Sequence, residues 1–380
     1  MKLTLQTQLL PDPEDAAKIM ATVERFNEAA TWLAEIAFGR KIANKFELQK
    51  LCYAELRERF GLSAQMAIRC IAQVCEAYKR DKGKRPKYRK HSAMPFDQRI
   101  ISFKGPDRVS LLTLEGRVIV PFIMGKYQVE RFGFARGQCD LVLRKDGKWF
   151  LLVTVDVPEG TKLPVTDFLG VDLGIVNIAC DSDGNVYTGE AVEKIRRKHQ
   201  ASRKTRQRKE TKGTKKQLKK LAGKEARFRK HENHRISKTI VANAKGTGRG
   251  IALEDLKGIR DRTTVRNRQR NRHSGWSFFQ LRAFVKYKAA LAGVPVVTVD
   301  PRNTSKTCSV CGHCDRANRP TRDMFLCKQC RYSANADLNA ARNLAGLGRC
   351  NSASKLAGID PGSNPGEFSR KSPALLGLGI

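Results

Sequence analysis

Five cysteines and a lone acid lie close together near the end of the chain. The stretch TCSVCGHCDRANRPTRDMFLCKQC is followed by an alanine-rich segment that carries Asp337. Four of the thiols form two CxxC pairs, the spacing of a structural site in which thiolates bind one Zn²⁺: Cys308, Cys311, Cys327 and Cys330. His313 and Cys314 fall beside the first pair, and we predict that neither is a ligand.

Two further acids belong to apolar, strand-like segments. Asp172 lies within TDFLGVDLGIVNIAC before a turn at Gly174, and Glu254 ends the apolar run IAL in GRGIALEDL. Alone, Asp172 fits a strand-end turn as well as a ligand. The segment after Asn335 is predicted to be a helix with Asp337 in its first turn and three residues facing inward: Leu338, Ala341 and Leu344.

Carboxylates from two strands and a helix start can meet at one edge of a sheet, and such a cluster stays ionised only beside a divalent cation. Hard oxygen ligands suit Mg²⁺ or Mn²⁺, and two such ions about 4 Å apart would activate water and stabilise the leaving oxygen in phosphodiester hydrolysis. Four other acids occupy turns or strand ends that suit solvent or capping, so we rank them lower: Asp181, Asp183, Asp255 and Asp300. The zinc insert precedes Asp337 directly and is predicted to hold the chain geometry that presents it.

The chain carries 73 basic and 37 acidic residues, a formal net charge of +36, which points to nucleic acid before membrane. A ribosomal-type protein would share this charge. The amino-terminal segment lacks a secretory signal, and no run reaches the roughly 20 apolar residues of a membrane span. We therefore expect a cytoplasmic protein with reduced thiols, and structural or free roles for four lone cysteines: Cys52, Cys139, Cys180 and Cys350.

The first half changes from helical to alternating periodicity. A short strand is predicted around Leu3 and Leu5. Asp12 and Pro13 then predict the start of a helix that ends near Gly39. Two more helices are predicted from about 47 to 60 and 63 to 78, with Met66 and Cys70 in the core. A basic linker covers residues 79 to 90. Strands are predicted around 99–103, 109–114, 117–122 and 139–144, with a hairpin turn at Asp146-Gly147, and together they indicate a small β-barrel from about 95 to 160.

Residues 193 to 235 are dense in Lys and Arg and permit helix. A solvated helical hairpin is one interpretation, but so uniform a positive face favours contact with a phosphate backbone. Candidate contacts are Arg203, Lys204, Arg206 and Arg208 in this segment and Lys84 and Arg85 in the linker. After about Gly348 the chain mixes Ser, Gly and Pro without periodicity, which predicts disorder.

These motifs resemble the TnpB (OrfB) proteins of insertion sequences, relatives of the compact type V CRISPR effectors. The resemblance rests on GVDLG at 170–174, ALEDL at 252–256, the cysteine ribbon preceded by NTSKTC, and ADLNAARN at 336–343, and it spans about residues 166 to 346. In the first half it rests only on the order of elements. It implies a RuvC-type, ribonuclease H-like nuclease whose metal-binding triad is Asp172, Glu254 and Asp337.

The resemblance also implies an RNA-guided DNA endonuclease encoded by a transposable element, which cuts next to a short motif that the protein reads. Its partners would be a guide RNA with scaffold and target DNA, without an obligate protein partner, in a prokaryotic cytoplasm and on the nucleoid when bound to DNA. Three alternatives stay open: a guide-independent, structure-selective nuclease, a zinc-ribbon nucleic-acid-binding protein without catalysis, and a cleavage-deficient repressor, against which the three intact acids argue. Copurifying RNA would separate guided from guide-independent proteins.

The predicted fold class is α/β and multidomain. Residues 1–11 form the first strand of the β-barrel (wedge) domain, 12–90 a helical recognition lobe with its basic linker, and 91–163 the rest of the barrel. Residues 164–304 form the RuvC-like domain, with a basic helical hairpin at about 191–240. The zinc ribbon covers 305–334, the final RuvC helix 335–347, and a disordered tail 348–380.

Overall fold

The computed structural model describes residues 1–255 and 278–356. The chain divides into two compact units, Met1–Pro158 and Glu159–Ile380. Within the described ranges, no helix combines the length and apolar content that a membrane crossing requires.

Three long helices open the first unit: α1 (Pro13–Gly39), α2 (Lys45–Glu58) and α3 (Ala64–Arg80). The predicted start of α1 is confirmed, because Asp12 caps it by accepting a 2.8 Å hydrogen bond from the Asp15 amide. Met66 and Cys70 on α3 are fully buried, as predicted. A short helix, α4 (Lys126–Phe132), has no counterpart in the sequence prediction.

A seven-stranded sheet, nearly closed into a barrel, completes this unit. Its strands are β1 (Lys2–Leu9), β2 (Met94–Phe96), β3 (Ile101–Lys104), β4 (Arg108–Thr113), β5 (Gly116–Ile123), β6 (Ala135–Leu143) and β7 (Trp149–Asp156), in the order β2-β6-β7-β1-β5-β4-β3. β1 lies centrally and pairs antiparallel with β7 and β5. The predicted hairpin of β6 and β7 is confirmed, and its turn contains Gly147 at φ 80°, a backbone conformation that favours glycine.

The second unit is built on a five-stranded mixed sheet, as the ribonuclease H-like prediction requires. Its strands are β8 (Phe168–Asp172), β9 (Asn177–Asp181), β10 (Val186–Thr188), β11 (Gly250–Glu254) and β12 (Val296–Val299), in the order β10-β9-β8-β11-β12. The three strands β8, β11 and β12 run parallel, whereas β9 and β10 are antiparallel to their neighbours. Asp172 and Glu254 therefore end neighbouring parallel strands at the same edge.

Helices cover both faces of this sheet. The predicted basic hairpin consists of α5 (Glu190–Arg208) and α6 (Lys212–Gly246), and the end of α6 packs with α7 (Phe278–Ala292) on one face. α8 (Ala336–Leu356) packs on the other face, where a Cβ added to Gly170 would lie 1.9 Å from the Ala341 carbonyl oxygen. This close approach explains the glycine within β8.

The predicted disorder after residue 348 is wrong for residues 348–356, because α8 continues to Leu356. Gly348 lies so close to the sheet that an added Cβ would be 2.9 Å from Ala252 Cβ, and Arg349 Nη1 donates a 2.7 Å hydrogen bond to Asp167. Packing of the helix on the sheet thus outweighs its Gly- and Ser-rich composition. The rest of the predicted tail lies outside the described residues.

Candidate active site and cysteine cluster

The four predicted thiols lie together in a small ribbon whose hairpin is β13 (Met324–Leu326) and β14 (Ser333–Asn335). Cys308 Sγ lies 3.6 Å from Cys330 Sγ, Cys311 Sγ lies 3.5 Å from Cys327 Sγ, and all four sulfur atoms lie within 4.8 Å of one another. Tetrahedral Zn–S bonds of about 2.3 Å would set the sulfur atoms ~3.8 Å apart. The cluster is therefore consistent with a structural zinc, and the exposed Cys314 lies outside it.

A buried asparagine joins the two halves of the ribbon. Asn318 donates from Nδ2 to the carbonyl oxygens of Lys306 (2.9 Å) and His313 (3.1 Å), and its Oδ1 accepts from the Lys328 amide at 2.9 Å. It is completely buried. The loops that present the two CxxC pairs are thus held together by this side chain as well as by the thiols.

Two asparagines four residues apart attach the ribbon to α8. Asn339 accepts from the Ser309 amide at 3.0 Å and donates to the Thr307 carbonyl at 2.8 Å. Asn343 donates to the same Thr307 carbonyl at 2.7 Å. Spacing of four residues puts both asparagines on one helix face, so the segment around Cys308 is fixed to the helix that begins beside Asp337. The two asparagines of the motif ADLNAARN, spaced four residues apart, are the sequence signal for this contact.

The structure brings Asp172, Glu254 and Asp337 to the same edge of the second unit's sheet. Val171 of β8 lies beside Leu253 of β11, so Asp172 and Glu254 follow next to each other, and their side chains share a hydrogen bond. Asp337 lies in the first turn of α8, where its charge acts on both other acids. Within the described ranges, the four thiols are the one group of potential metal ligands whose ligand atoms all lie within 4.8 Å of one another. The three carboxyl groups are therefore spaced more widely than the thiols.

Burial dominates the electrostatics of this acid cluster. Glu254 is only 7% exposed, and its burial, followed by the hydrogen bond and charge of Asp172, raises its pKa well above the ordinary value. Burial also raises the pKa of Asp172, with a contribution from Asp337, while the hydrogen bond from Glu254 opposes the rise. Within this pair Glu254 holds a proton more tightly than Asp172 does, so Glu254 is the donor and Asp172 the acceptor of their hydrogen bond.

Two residues that the sequence analysis did not single out flank Asp337. Asn177 donates from Nδ2 to Asp337 Oδ2 at 2.9 Å, and Arg319 Nη2 lies 4.0 Å from Asp337 Oδ1. Asn177 belongs to the sheet and Arg319 to the cysteine ribbon. The Asp337 carboxylate is thus held between the two parts of the unit that meet at the site.

The acids ranked lower have other partners. Asp181 is fully buried and caps the β9–β10 turn by accepting from the Asn185 amide at 2.9 Å. The other three form ion pairs: Asp183 with Arg249, Asp255 with Arg282, and Asp300 with Arg302. Capping and ion pairing account for these four carboxylates.

The four basic candidates on α5 divide into two groups. Arg203 Nη2 lies 2.6 Å from Glu225 of α6, and Arg206 Nε donates to Gln217 at 2.8 Å, so both tie the hairpin together. Lys204 and Arg208 are exposed and form no ion pair with any residue that the structure describes. In the other unit, the linker candidates form exposed ion pairs: Lys84 with Asp81 at 3.1 Å and Arg85 with Glu35 at 2.8 Å.

Two family models match the two segments of the chain that contribute residues to this site. Residues 150–258 match the OrfB family of IS605 elements, described as a probable transposase, and residues 278–344 match the Cas12f1-like TNB domain. The chain is 34% identical over 249 residues to the CRISPR-associated endodeoxyribonuclease Cas12f1 of Sulfoacidibacillus thermotolerans, across 60% of this chain and 56% of that protein. It therefore spans about half the length of that relative.

Two further similarities are informative. The putative RNA-guided DNA endonuclease InsQ of Escherichia coli (strain K12) is 25% identical over 285 residues, across 69% of this chain and 70% of InsQ. In fold, the chain matches a protein in the cryo-EM structure of a Cas12f1–sgRNA–target DNA complex with a TM-score of 0.61 at 17% identity, over 88% of this chain and 83% of that one. These matches show that residues 150–258 belong to the OrfB (TnpB) family and residues 278–344 to the TNB zinc domain, and that the chain is related to the Cas12f CRISPR effectors.

Proposed function

We propose that this chain is an RNA-guided DNA endonuclease of a transposable element, which hydrolyses target DNA at Asp172, Glu254 and Asp337. The observation that carries the proposal is the hydrogen-bonded pair of Asp172 and Glu254 at the sheet edge, with Asp337 beside it. Three carboxyl groups, one of them buried and two of them only partly exposed, are costly to gather at one place unless they hold a cation. The names of the relatives, which are DNA endonucleases, support the same chemistry.

The chemistry of this donor set fits Mg²⁺ or Mn²⁺, which prefer carboxylate oxygens. When bound, either ion supplies activation of water and stabilisation of the leaving oxygen. The protein's own contribution is the placement of the donors: parallel strands align Asp172 with Glu254, and the first turn of α8 supplies Asp337. Glu254 must give up its proton before it can act as an anionic ligand.

A structural Zn²⁺ at Cys308, Cys311, Cys327 and Cys330 would act indirectly. It would fix the segment around Cys308, to which Asn339 and Asn343 of α8 are hydrogen-bonded. Since α8 begins beside Asp337, the zinc would stabilise the geometry of the third acid without touching it.

Nucleic acid would bind along the exposed face of the α5–α6 hairpin. Lys204 and Arg208 are exposed, and five lysines at the start of α6 are exposed too: Lys212, Lys215, Lys216, Lys219 and Lys220. Exposed cations of this kind suit contact with phosphates, whose counterions they release on binding. Arg203 and Arg206 would instead maintain the hairpin.

Guide RNA and target DNA are the partners that we propose. A formal charge of +36 exceeds what a short duplex contact calls for, and a large folded RNA would neutralise it. Base pairing would then supply sequence specificity, while the protein recognises the shape of the heteroduplex and a short flanking motif. The E. coli relative is named a putative RNA-guided enzyme, and the Cas12f1 structure contains guide RNA and target DNA.

Cleavage of a matched plasmid with Mg²⁺ by Glu254→Ala and Asp255→Ala tests the acid cluster. Glu254→Ala should lose on the order of 10³-fold in rate while retaining nucleic-acid binding, because the lost ligand contributes several kcal/mol of charge stabilisation. Asp255→Ala is the matched control, since the neighbouring acid pairs with Arg282 and lies outside the cluster. Full activity in Glu254→Ala would contradict the proposal.

A further inference from the structure

We propose that Asn177 is a positioning residue for Asp337, which sets the orientation of this carboxylate for cation binding. The inference rests on the proposed function and adds a residue to it. Its basis is the 2.9 Å hydrogen bond from Asn177 Nδ2 to Asp337 Oδ2, which joins the sheet to α8.

The backbone around Asn177 is closely constrained. The turn after Asp172 allows Gly174 to donate to the Ile178 carbonyl at 3.3 Å, and a Cβ at position 174 would lie 2.4 Å from the Asn177 carbonyl oxygen. On the other side, Gly189 donates to the Val176 carbonyl at 2.9 Å, and a Cβ there would lie 2.6 Å from that oxygen. Two glycines thus permit close backbone packing on both sides of the turn, which fixes where the backbone of Asn177 lies.

The position of Asn177 also decides which Asp337 oxygen stays available. Oδ2 accepts the amide hydrogen bond, whereas Oδ1 faces the more distant Arg319 guanidinium at 4.0 Å. A hydrogen bond that fixes one oxygen limits rotation of the carboxylate and so directs its other electron pairs towards the cation. Partners of metal ligands that act in this way typically contribute about 10- to 100-fold to metal affinity or activity.

In a purely structural role, the Asn177 hydrogen bond would only hold α8 against the sheet and would not affect cation binding. The same hairpin offers a matched control for that role. Asn185 follows the other end of β9 and donates from Nδ2 to the buried Asp181 at 2.9 Å, so it is an amide that bonds to an acid outside the cluster. Leu has nearly the shape of Asn but lacks the amide donor. The variants Asn177→Leu and Asn185→Leu therefore each lose the side-chain hydrogen bond to the neighbouring acid.

The test measures Mn²⁺ binding to full-length protein by electron paramagnetic resonance, without target DNA. Ions held by copurifying RNA are subtracted with the Asp337→Ala variant, and thermal melting and zinc content are recorded for every variant. We expect Asn177→Leu to bind Mn²⁺ about 10- to 100-fold more weakly than wild type. Asn185→Leu should lose thermal stability and keep its Mn²⁺ affinity.

The outcomes separate this inference from the proposed function. Wild-type Mn²⁺ affinity in Asn177→Leu would overturn the inference and leave the proposed function intact. Equal weakening in Asn185→Leu and Asn177→Leu would also overturn it, because loss of stability alone would then explain the effect. If wild type binds no more Mn²⁺ than Asp337→Ala, the proposed metal-dependent function itself fails.

Discussion

The side chains of Asp172 and Glu254 share a hydrogen bond at the ends of two neighbouring parallel strands, and burial raises the pKa of both carboxyl groups. In the metal-free protein the pair therefore favours binding of a proton where the proposed enzyme needs negative charge. Such an arrangement favours cation binding but lowers the stability of the metal-free protein, and this loss of stability can be measured.

Replacing Glu254 by Gln should stabilise the metal-free protein at neutral pH. Because the pKa of Glu254 is raised on folding, the folded state binds more protons, and stability is lost as pH rises from the ordinary carboxyl value through the raised one. Glu254→Gln cannot ionise and escapes this loss. Thermal melting in Mg²⁺-free buffer should show a higher Tm for Glu254→Gln at neutral pH, by roughly 2–4 °C for each kcal/mol.

Two controls accompany this measurement. The difference in Tm should shrink as pH falls below about 4, where the wild-type carboxyl becomes protonated in both states. Asp255→Asn, which lies outside the hydrogen-bonded pair, should bring no gain. A Glu254→Gln protein that melts below wild type at every pH would contradict the assigned proton.

Replacing Asn339 by Leu should separate zinc binding from the presentation of Asp337. Asn339→Leu leaves the Ser309 amide without this acceptor, at about 1–3 kcal/mol, whereas the Thr307 carbonyl keeps its hydrogen bond from Asn343. Elemental analysis should find wild-type zinc in Asn339→Leu, while cleavage falls. Cys308→Ser should lose both zinc and cleavage, and Cys314→Ser should lose neither. Full cleavage in Asn339→Leu would contradict the coupling of ribbon and helix.

The two groups of basic residues on α5 should respond differently to the same loss of charge. Changing Lys204 and Arg208 to Gln should weaken nucleic-acid binding and flatten its salt dependence, by about 1.4 to 1.8 in the slope of log affinity against log salt for two lost phosphate contacts. Changing Arg203 and Arg206 to Gln should instead lower thermal stability, because they bond to Glu225 and Gln217. Equal slopes in wild type and the Lys204/Arg208 variant would indicate a merely solvated face.

Periodicity and turn chemistry were sufficient to predict most elements from the sequence. The Asp12 cap, the turn containing Gly147, and the strand ends at Asp172 and Glu254 all depend on neighbours in the chain, which a single sequence shows. Disorder was predicted wrongly for residues 348–356 because the contact of Gly348 with the sheet is non-local. The short α4 lacked a pattern long enough to reveal it.

Side-chain partners across long sequence separations explain what was missed at the site. The residues next to Asn177 in the sequence do not indicate that its amide contacts Asp337. The residues next to Arg319 do not indicate that its guanidinium lies near the same carboxylate. Arg203 and Lys204 are adjacent cations in the sequence, yet Arg203 faces Glu225 whereas Lys204 is exposed. Charge runs therefore predict a basic surface without assigning the individual residues to it.

Dependence of cleavage on a bound RNA tests the central claim most directly. The protein should be expressed with its native flanking DNA, purified, and assayed with Mg²⁺ on a target that matches the bound guide and on a mismatched one, before and after ribonuclease treatment. We expect cutting of the matched target alone, and loss of that cutting once the RNA is removed, since base pairing would carry the specificity. Equal cutting of both targets, or activity that survives complete removal of the RNA, would contradict the RNA-guided function and favour a guide-independent nuclease.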